Sequence, residues 1–194
     1  MPETRVDDAL SDALVALVQW LSASRVPYAL IGGVAVALQA VPRFTKDIDV
    51  VIWTDDDRWA ELIASAEAFS ITPRRMDVLE FAQRTRVLLL AHSTGVPLDI
   101  SCGALPFEQE LVERSQRVDV GPVVVQVATP EHLLVMKAIA NRARDRADIE
   151  SLLRACPDVD TDGARRVVKD FAEALEAPEL LNDFDRLVRE RRPS

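Results

Sequence analysis

Several classes of protein need features that this chain lacks. Only two cysteines, Cys102 and Cys156, occur in 194 residues. They have no metal-type spacing, so a disulfide framework is not expected and free thiols in a reducing cytoplasm are. The two histidines, His92 and His132, have no partner pattern and are expected as polar surface or core residues. No apolar run approaches the roughly 18–20 residues of a membrane span; Ala29–Val41 is too short and holds two glycines. The first residues are acidic and polar where a secretory leader would be basic and then apolar, so a cytoplasmic location is expected. A basic excess is missing too. With 23 Lys and Arg against 32 Asp and Glu, the net charge is −9. That argues against a protein whose whole surface binds nucleic acid, and leaves room for a local basic face. Cations bound at a metal site would offset part of the acidity.

What remains is an ordinary globular composition, 48% hydrophobic and 28% charged, long enough for one large domain or a core with a helical appendage. Apolar residues recur at helical spacing from Val6 to Ser24, and Pro27 ends that segment. Tyr28–Ile31 reads as a buried strand, Val34–Ala40 as a helix stopped by Pro42, and Asp47–Trp53 as a strand. Thr54 before Asp55, Asp56 and Asp57 reads as a helix start with acids in the first turn, the helix running from Arg58 to Phe69. Strands are expected within Ile71–Ser93, most clearly at Arg86–Ala91, and at Leu98–Ile100. A short helix at Pro106–Arg114 follows, and then a strand or hairpin over Val118–Ala128 with a turn at Gly121-Pro122. From Thr129-Pro130-Glu131, a strong helix start, the pattern turns helical: Leu133 to Ile139, Ala147–Cys156, Asp162–Glu176 and Pro178–Arg191. The fold class expected is α/β (α+β), a mixed-sheet core over 1–128 and a helical C-terminal part over 129–194.

The chemistry concentrates in Leu30–Trp53. Gly32 and Gly33 follow a buried strand at the start of a helix, where a tight turn exposes N–H groups to a phosphate. Asp47 and Asp49 stand two apart in an apolar strand and so face the same way. Two carboxylates there suit Mg²⁺ bridging nucleotide phosphates, and a phosphate cradle beside them points to nucleotidyl transfer. Asp99, in Leu98-Asp99-Ile100, is a third strand acid. It would complete a two-metal site and could take the proton of an attacking hydroxyl, unless it is simply satisfied by backbone donors. Asp55–Asp57 serve either to cap and solvate or as further metal ligands.

These residues carry a resemblance. G-G-x13-D-x-D with a later strand acid resembles the polymerase-β-type nucleotidyltransferase superfamily. The longer string I-G-G-V-A-V-A-L-Q-A-V-P-R-F-T-K-D-I-D-V, with its R-x-T-x-D-x-D ending, is similar to the AbiEii and MenT-type toxins of bacterial toxin–antitoxin systems. The segment from Thr129 to Glu150, a helix lysine followed by R-x-R-D-x-x-D-I, looks like their later motifs.

The resemblance implies a polymerase-β-like core whose Gly32 and Gly33 contact phosphates and whose Asp47, Asp49 and Asp99 bind two Mg²⁺ ions. It makes Lys137 a triphosphate ligand, against a structural salt bridge, and gives Asp148 a role in orienting the basic cluster or in catalysis. Many members have serine where Gly33 stands, so one hydroxyl contact is missing here. Arg43 and Thr45 lie close enough in sequence to reach the nucleotide.

The implied activity is transfer of a nucleoside monophosphate from an NTP to a hydroxyl, with pyrophosphate released. A toxin of this kind would take the 3′ end of tRNA as acceptor and have a cognate antitoxin, either kinase-like or a small DNA-binding protein. Arg74, Arg75, Arg84, Arg86 and Arg142–Arg146 would serve the RNA if they converge on the cleft rim; Asp145 and Asp148 would otherwise pair with the last group on the surface. The alternatives are an aminoglycoside-type small-molecule acceptor, which an acidic cleft suits, a protein hydroxyl, or a non-catalytic nucleotide-binding module.

Overall fold

The computed structural model describes residues 8–41 and 45–191. Its chain divides into two compact units, the first comprising Met1–Val34 and Arg43–Ala128, the second Ala35–Pro42 and Thr129–Ser194.

The first unit is a mixed sheet with helices. Among the described residues seven strands follow the order β3-β4-β5-β2-β1-β7-β6. They are β1 (Tyr28–Ile31), β2 (Ile48–Ile52), β3 (Ile71–Pro73), β4 (Val87–His92), β5 (Pro97–Cys102), β6 (Gln116–Val120) and β7 (Val123–Val127). Strand β2 pairs antiparallel with β1 and parallel with β5, while β1 also pairs parallel with β7.

Burial explains this order. Every residue of β1 is buried, and β2 is buried except at Asp49; continuous apolar runs of this kind belong at the centre of a sheet covered on both faces. Strands β4 and β5 alternate instead, burying Leu88 and Leu90, and Leu98, Ile100 and Cys102. Residues paired across a ladder share a face. The register Ile48↔Leu98↔Leu90 and Val50↔Ile100↔Leu88 therefore makes one apolar face, and Asp49 and Asp99 lie on the other.

Around the sheet are α1 (Asp8–Ala23), α3 (Trp59–Ala66), α4 (Val78–Thr85) and α5 (Pro106–Glu113). Trp20 of α1 donates its indole N–H to Ser65 Oγ of α3 at 3.0 Å. Helix α2 (Gly32–Gln39) starts directly from the end of β1.

Three local readings need correction. Residue Thr54 does not cap a helix: a 3₁₀ turn at Asp56–Arg58 precedes α3, its N-cap position is Asp55, and no side-chain cap bond forms there. Segment 78–85 is a helix rather than strand. Its strongly amphipathic pattern buries Val78 and Ala82, and its end is marked by Arg86 in the left-handed region. Strand β2 begins at Ile48, which leaves Asp47 just before it.

The second unit holds α6 (Pro130–Ala140), α7 (Ala143–Ala155), α8 (Thr161–Ala174) and α9 (Pro178–Arg191). Helix α6 packs against α7, α8 and α9, over a core that includes Leu133, Leu134, Leu152, Val168 and Phe184. Thr129 caps α6, its side chain accepting from the His132 N–H. Helix α7 starts at Ala143, four residues earlier than its apolar residues alone suggest, because Asp145 at its third position bonds back to the Arg142 N–H.

Candidate active site

One register row crosses the first unit and carries its chemistry. Ile31, the last residue of β1, pairs with Asp49 of β2; Asp49 pairs with Asp99 of β5; Asp99 pairs with Leu89 of β4. The peptide N–H of Arg74, just past β3, continues the row by donating to the Leu89 carbonyl at 2.9 Å. Two carboxylates thus occupy adjacent positions near the middle of the sheet, beside the turn into α2.

That turn depends on glycine. Gly32 has φ +61°, a left-handed conformation that L side chains rarely adopt, and a Cβ there would lie 2.6 Å from Asp49 Cγ. The missing side chain gives the Asp49 carboxylate its place against the first residue of α2. Gly33 follows it, buried, in the first turn of the helix.

Asp47 lies exposed ahead of β2, and the Thr45 hydroxyl donates to its Oδ1 at 2.9 Å. Residue Arg43 lies outside the described residues. Asp99 Oδ1 accepts from the Arg74 guanidinium. An all-oxygen donor set on Asp49 and Asp99 suits a hard divalent cation. Among the described residues, however, no three His, Cys, Asp or Glu side chains group closely enough to hold one. Two carboxylates are in place; the third stands apart.

Arg75, Arg84 and Arg86 are held on carboxylates other than Asp99. Arg75 makes two bonds to Asp77, at 2.6 and 2.9 Å, and Arg84 lies 3.8 Å from the same group. Arg86 holds Asp56 and lies over the Trp59 ring. Asp55 and Asp56 line a cleft of about 550 Å³ with Trp53 and Arg86, at the opposite end of β2 from Asp49. That separates the Asp55–Asp57 run from the strand acids.

In the second unit Lys137 is buried, with its ammonium 3.1 Å from Asp145 and 2.8 Å from Asp148. Both aspartates are buried as well, and Asp145 also accepts from the exposed Arg142 at 2.6 Å. The sequence held the signal for this: Asp145, Asp148, Ile149 and Leu152 follow the i, i+3, i+4, i+7 spacing of one helix stripe, and all four are buried. Burial pushes the Asp145 carboxyl up, but bonds from Arg142 and Lys137 outweigh it and hold the group below its ordinary value. Arg146 turns instead to Asp183 and Asn141. The Lys137 cluster therefore forms the salt bridge that was the rival to phosphate binding, and Asp145 is a member that sequence reasoning left on the surface.

The model of the family described as "Nucleotidyl transferase AbiEii toxin, Type IV TA system" matches residues 15–193. The chain belongs to the AbiEii nucleotidyltransferase toxin family. It is a nucleotidyltransferase, and NTP is its nucleotide substrate. No curated protein matched the sequence.

Solved structures share the fold of this AbiEii-family chain. The antibiotic-resistance factor ANT(2'')-Ia superposes with a TM-score of 0.58 at 16% identity, over 90% of this chain and 97% of that one. The lincosamide antibiotic adenylyltransferase LnuA gives 0.52 at 17%, over 76% and 96%. An antigenic nucleotidyltransferase-like protein from Paracoccidioides brasiliensis gives 0.51 at 17%, over 89% and 90%. Among the described residues no helix is long and apolar enough to cross a membrane.

Proposed function

We propose that this AbiEii-family enzyme transfers a nucleoside monophosphate from an NTP to the 3′ end of a tRNA and releases pyrophosphate. The observation that supports it best is the row that sets Asp49 and Asp99 side by side, with Gly32 of α2 against Asp49. In this reading the catalytic acids lie in the 1–128 core. Gly32 and Gly33 offer N–H groups to the triphosphate at the helix start. Asp49 and Asp99 would hold Mg²⁺, with Asp47, which lies outside that pair in this structure, assigned as the further ligand of a two-ion site. Bound there, Mg²⁺ would neutralise the triphosphate and the departing pyrophosphate.

Asp99 accepts the proton of the acceptor hydroxyl. The acceptor oxygen bonds to the α-phosphorus, the bond from that phosphorus to the bridging oxygen breaks, and pyrophosphate leaves with the electron pair. Arg43 and Thr45 are assigned to the nucleotide, while Lys137, 2.8 Å from Asp148, is left to the salt bridge of the second unit. A cytoplasmic location and a cognate antitoxin belong to the same reading.

A second acceptor class has its own support. The net charge of −9 suits a polycationic drug, and two of the structures sharing the fold are named for antibiotics.

The test supplies labelled NTPs, Mg²⁺, total RNA and an aminoglycoside panel. A labelled tRNA-sized band that disappears in Asp49→Ala is the expected result. Label on the drug in place of RNA transfers the assignment to the second reading, and label on protein makes a protein hydroxyl the acceptor. No transfer to any acceptor, or an active Asp49→Ala, sinks the assignment.

A further inference from the structure

We propose that Arg74 is the internal counter-ion of Asp99, holding that carboxylate until a divalent cation displaces it, and so sets how readily the site loads its metal. The inference rests on the assignment of Asp99 as a metal ligand made above. Three observations carry it.

The first is the contact itself: the Arg74 guanidinium donates to Asp99 Oδ1. The second is how Arg74 is placed. Its backbone is pinned to Leu89 at the level of Asp99, two strands away across β4, so the side chain crosses the sheet along the row that holds the acids. The next residue stiffens the loop, since Arg75 grips Asp77 and stacks over the Phe81 ring, 4.1 Å from its centroid. The third is electrostatic. Asp49 and Asp99 are direct neighbours in register, and like charges facing each other across a ladder destabilise it. A guanidinium on one of them offsets that repulsion without a metal. At 34% and 38% exposure, the Arg74 and Asp99 side chains are open to an incoming ion.

A cation at Asp99 therefore competes with a charge the protein already supplies, and its apparent affinity is lowered by what it costs to evict Arg74. The freed guanidinium, a planar fork of five donors, is then available to an anionic group beside the metal.

Mn²⁺ titration of the full chain, with free ion read by electron paramagnetic resonance, tests the proposal without any turnover. Arg74→Gln should bind Mn²⁺ about tenfold more tightly than wild type, within the usual range of coupling between sites. Arg74→Lys, which keeps the charge and loses the fork, should fall between. Asp99→Asn should lose the binding. Equal or weaker binding by Arg74→Gln, with Asp99→Asn defective, overturns the counter-ion role and leaves the metal assignment standing. Wild-type binding by Asp99→Asn overturns both. The wild-type protein gives an independent reading: the Arg74 Nε–H resonance, identified by its loss in Arg74→Gln, should shift as Mg²⁺ is added. A resonance that stays fixed while the ion binds refutes displacement.

Discussion

Replacing Gly32 by alanine puts two separable costs on the first unit. The backbone cost comes from φ +61°, a left-handed conformation that disfavours an L side chain by ~1–2 kcal/mol. The steric cost comes from Asp49, whose Cγ and Cβ lie 2.6 and 2.7 Å from the new methyl position. Forcing a group into occupied space typically costs a further ~1–3 kcal/mol. Together they predict a loss of about 3 kcal/mol, or a fall in Tm of roughly 6–12 °C for a chain of this size.

The three tryptophans, Trp20, Trp53 and Trp59, all lie in the first unit, so fluorescence-detected urea unfolding reports on the affected part. A double-mutant cycle separates the terms. Asp49→Gly removes the obstacle, Cβ included, so Gly32→Ala in that background should recover the steric part and keep the backbone part, a coupling of about 1–2 kcal/mol. Strict additivity would refute the contact between Gly32 and Asp49. A Gly32→Ala variant within ~0.5 kcal/mol of wild type would refute the strained turn altogether.

Removing the cation of the second unit's cluster, as Lys137→Met, leaves Asp145 and Asp148 buried without it and should cost about 3–5 kcal/mol at neutral pH. In the wild type the depressed Asp145 carboxyl adds stability above its unfolded value, near pH 4, and that share is lost as pH falls through the lower folded value. The variant should behave oppositely and narrow its deficit on acidification; a deficit constant from pH 7 to pH 4 would count against the buried triad. Burial pushes the Cys102 thiol up to about 12, so an alkylating reagent at pH 8 should modify half-buried Cys156 first and reach Cys102 only on unfolding. Comparable rates at the two cysteines in the native protein would contradict that burial.

The sheet's central strands were the most legible part of the chain, because Tyr28–Ile31 is a continuous apolar run and Ile48–Ile52 one broken only by Asp49, bounded by a proline, a glycine pair and an acid. The Gly121-Pro122 hairpin and the Thr129-Pro130 helix start were equally plain from turn and cap chemistry. Helix α4 was not: Val78–Thr85 is only eight residues long, and its amphipathic pattern was absorbed into the strands expected on either side. Proximity was the other gap. Composition could place arginines near acids but not choose between Asp99, Asp77 and Asp56 as partners, since that choice depends on register between strands far apart in the sequence. The Asp145–Asp148 stripe was legible in principle, and was obscured because a helix starting at Ala147 leaves Asp145 outside it, whereas the helix starts at Ala143.

The register of β2 with β5 also sets an order of events on the ribosome. Asp49 and Asp99 are 50 positions apart (99 − 49) and meet only through a parallel pairing, which no local turn can make early. At about 5–20 residues per second of synthesis, roughly 2.5–10 s separate the emergence of the first acid from that of the second. Strand β7, which borders β1 on its other side, is made later still. A nascent chain of this toxin family thus has no paired carboxylates until β5 has been made, and a fragment released before Pro97 could never assemble them.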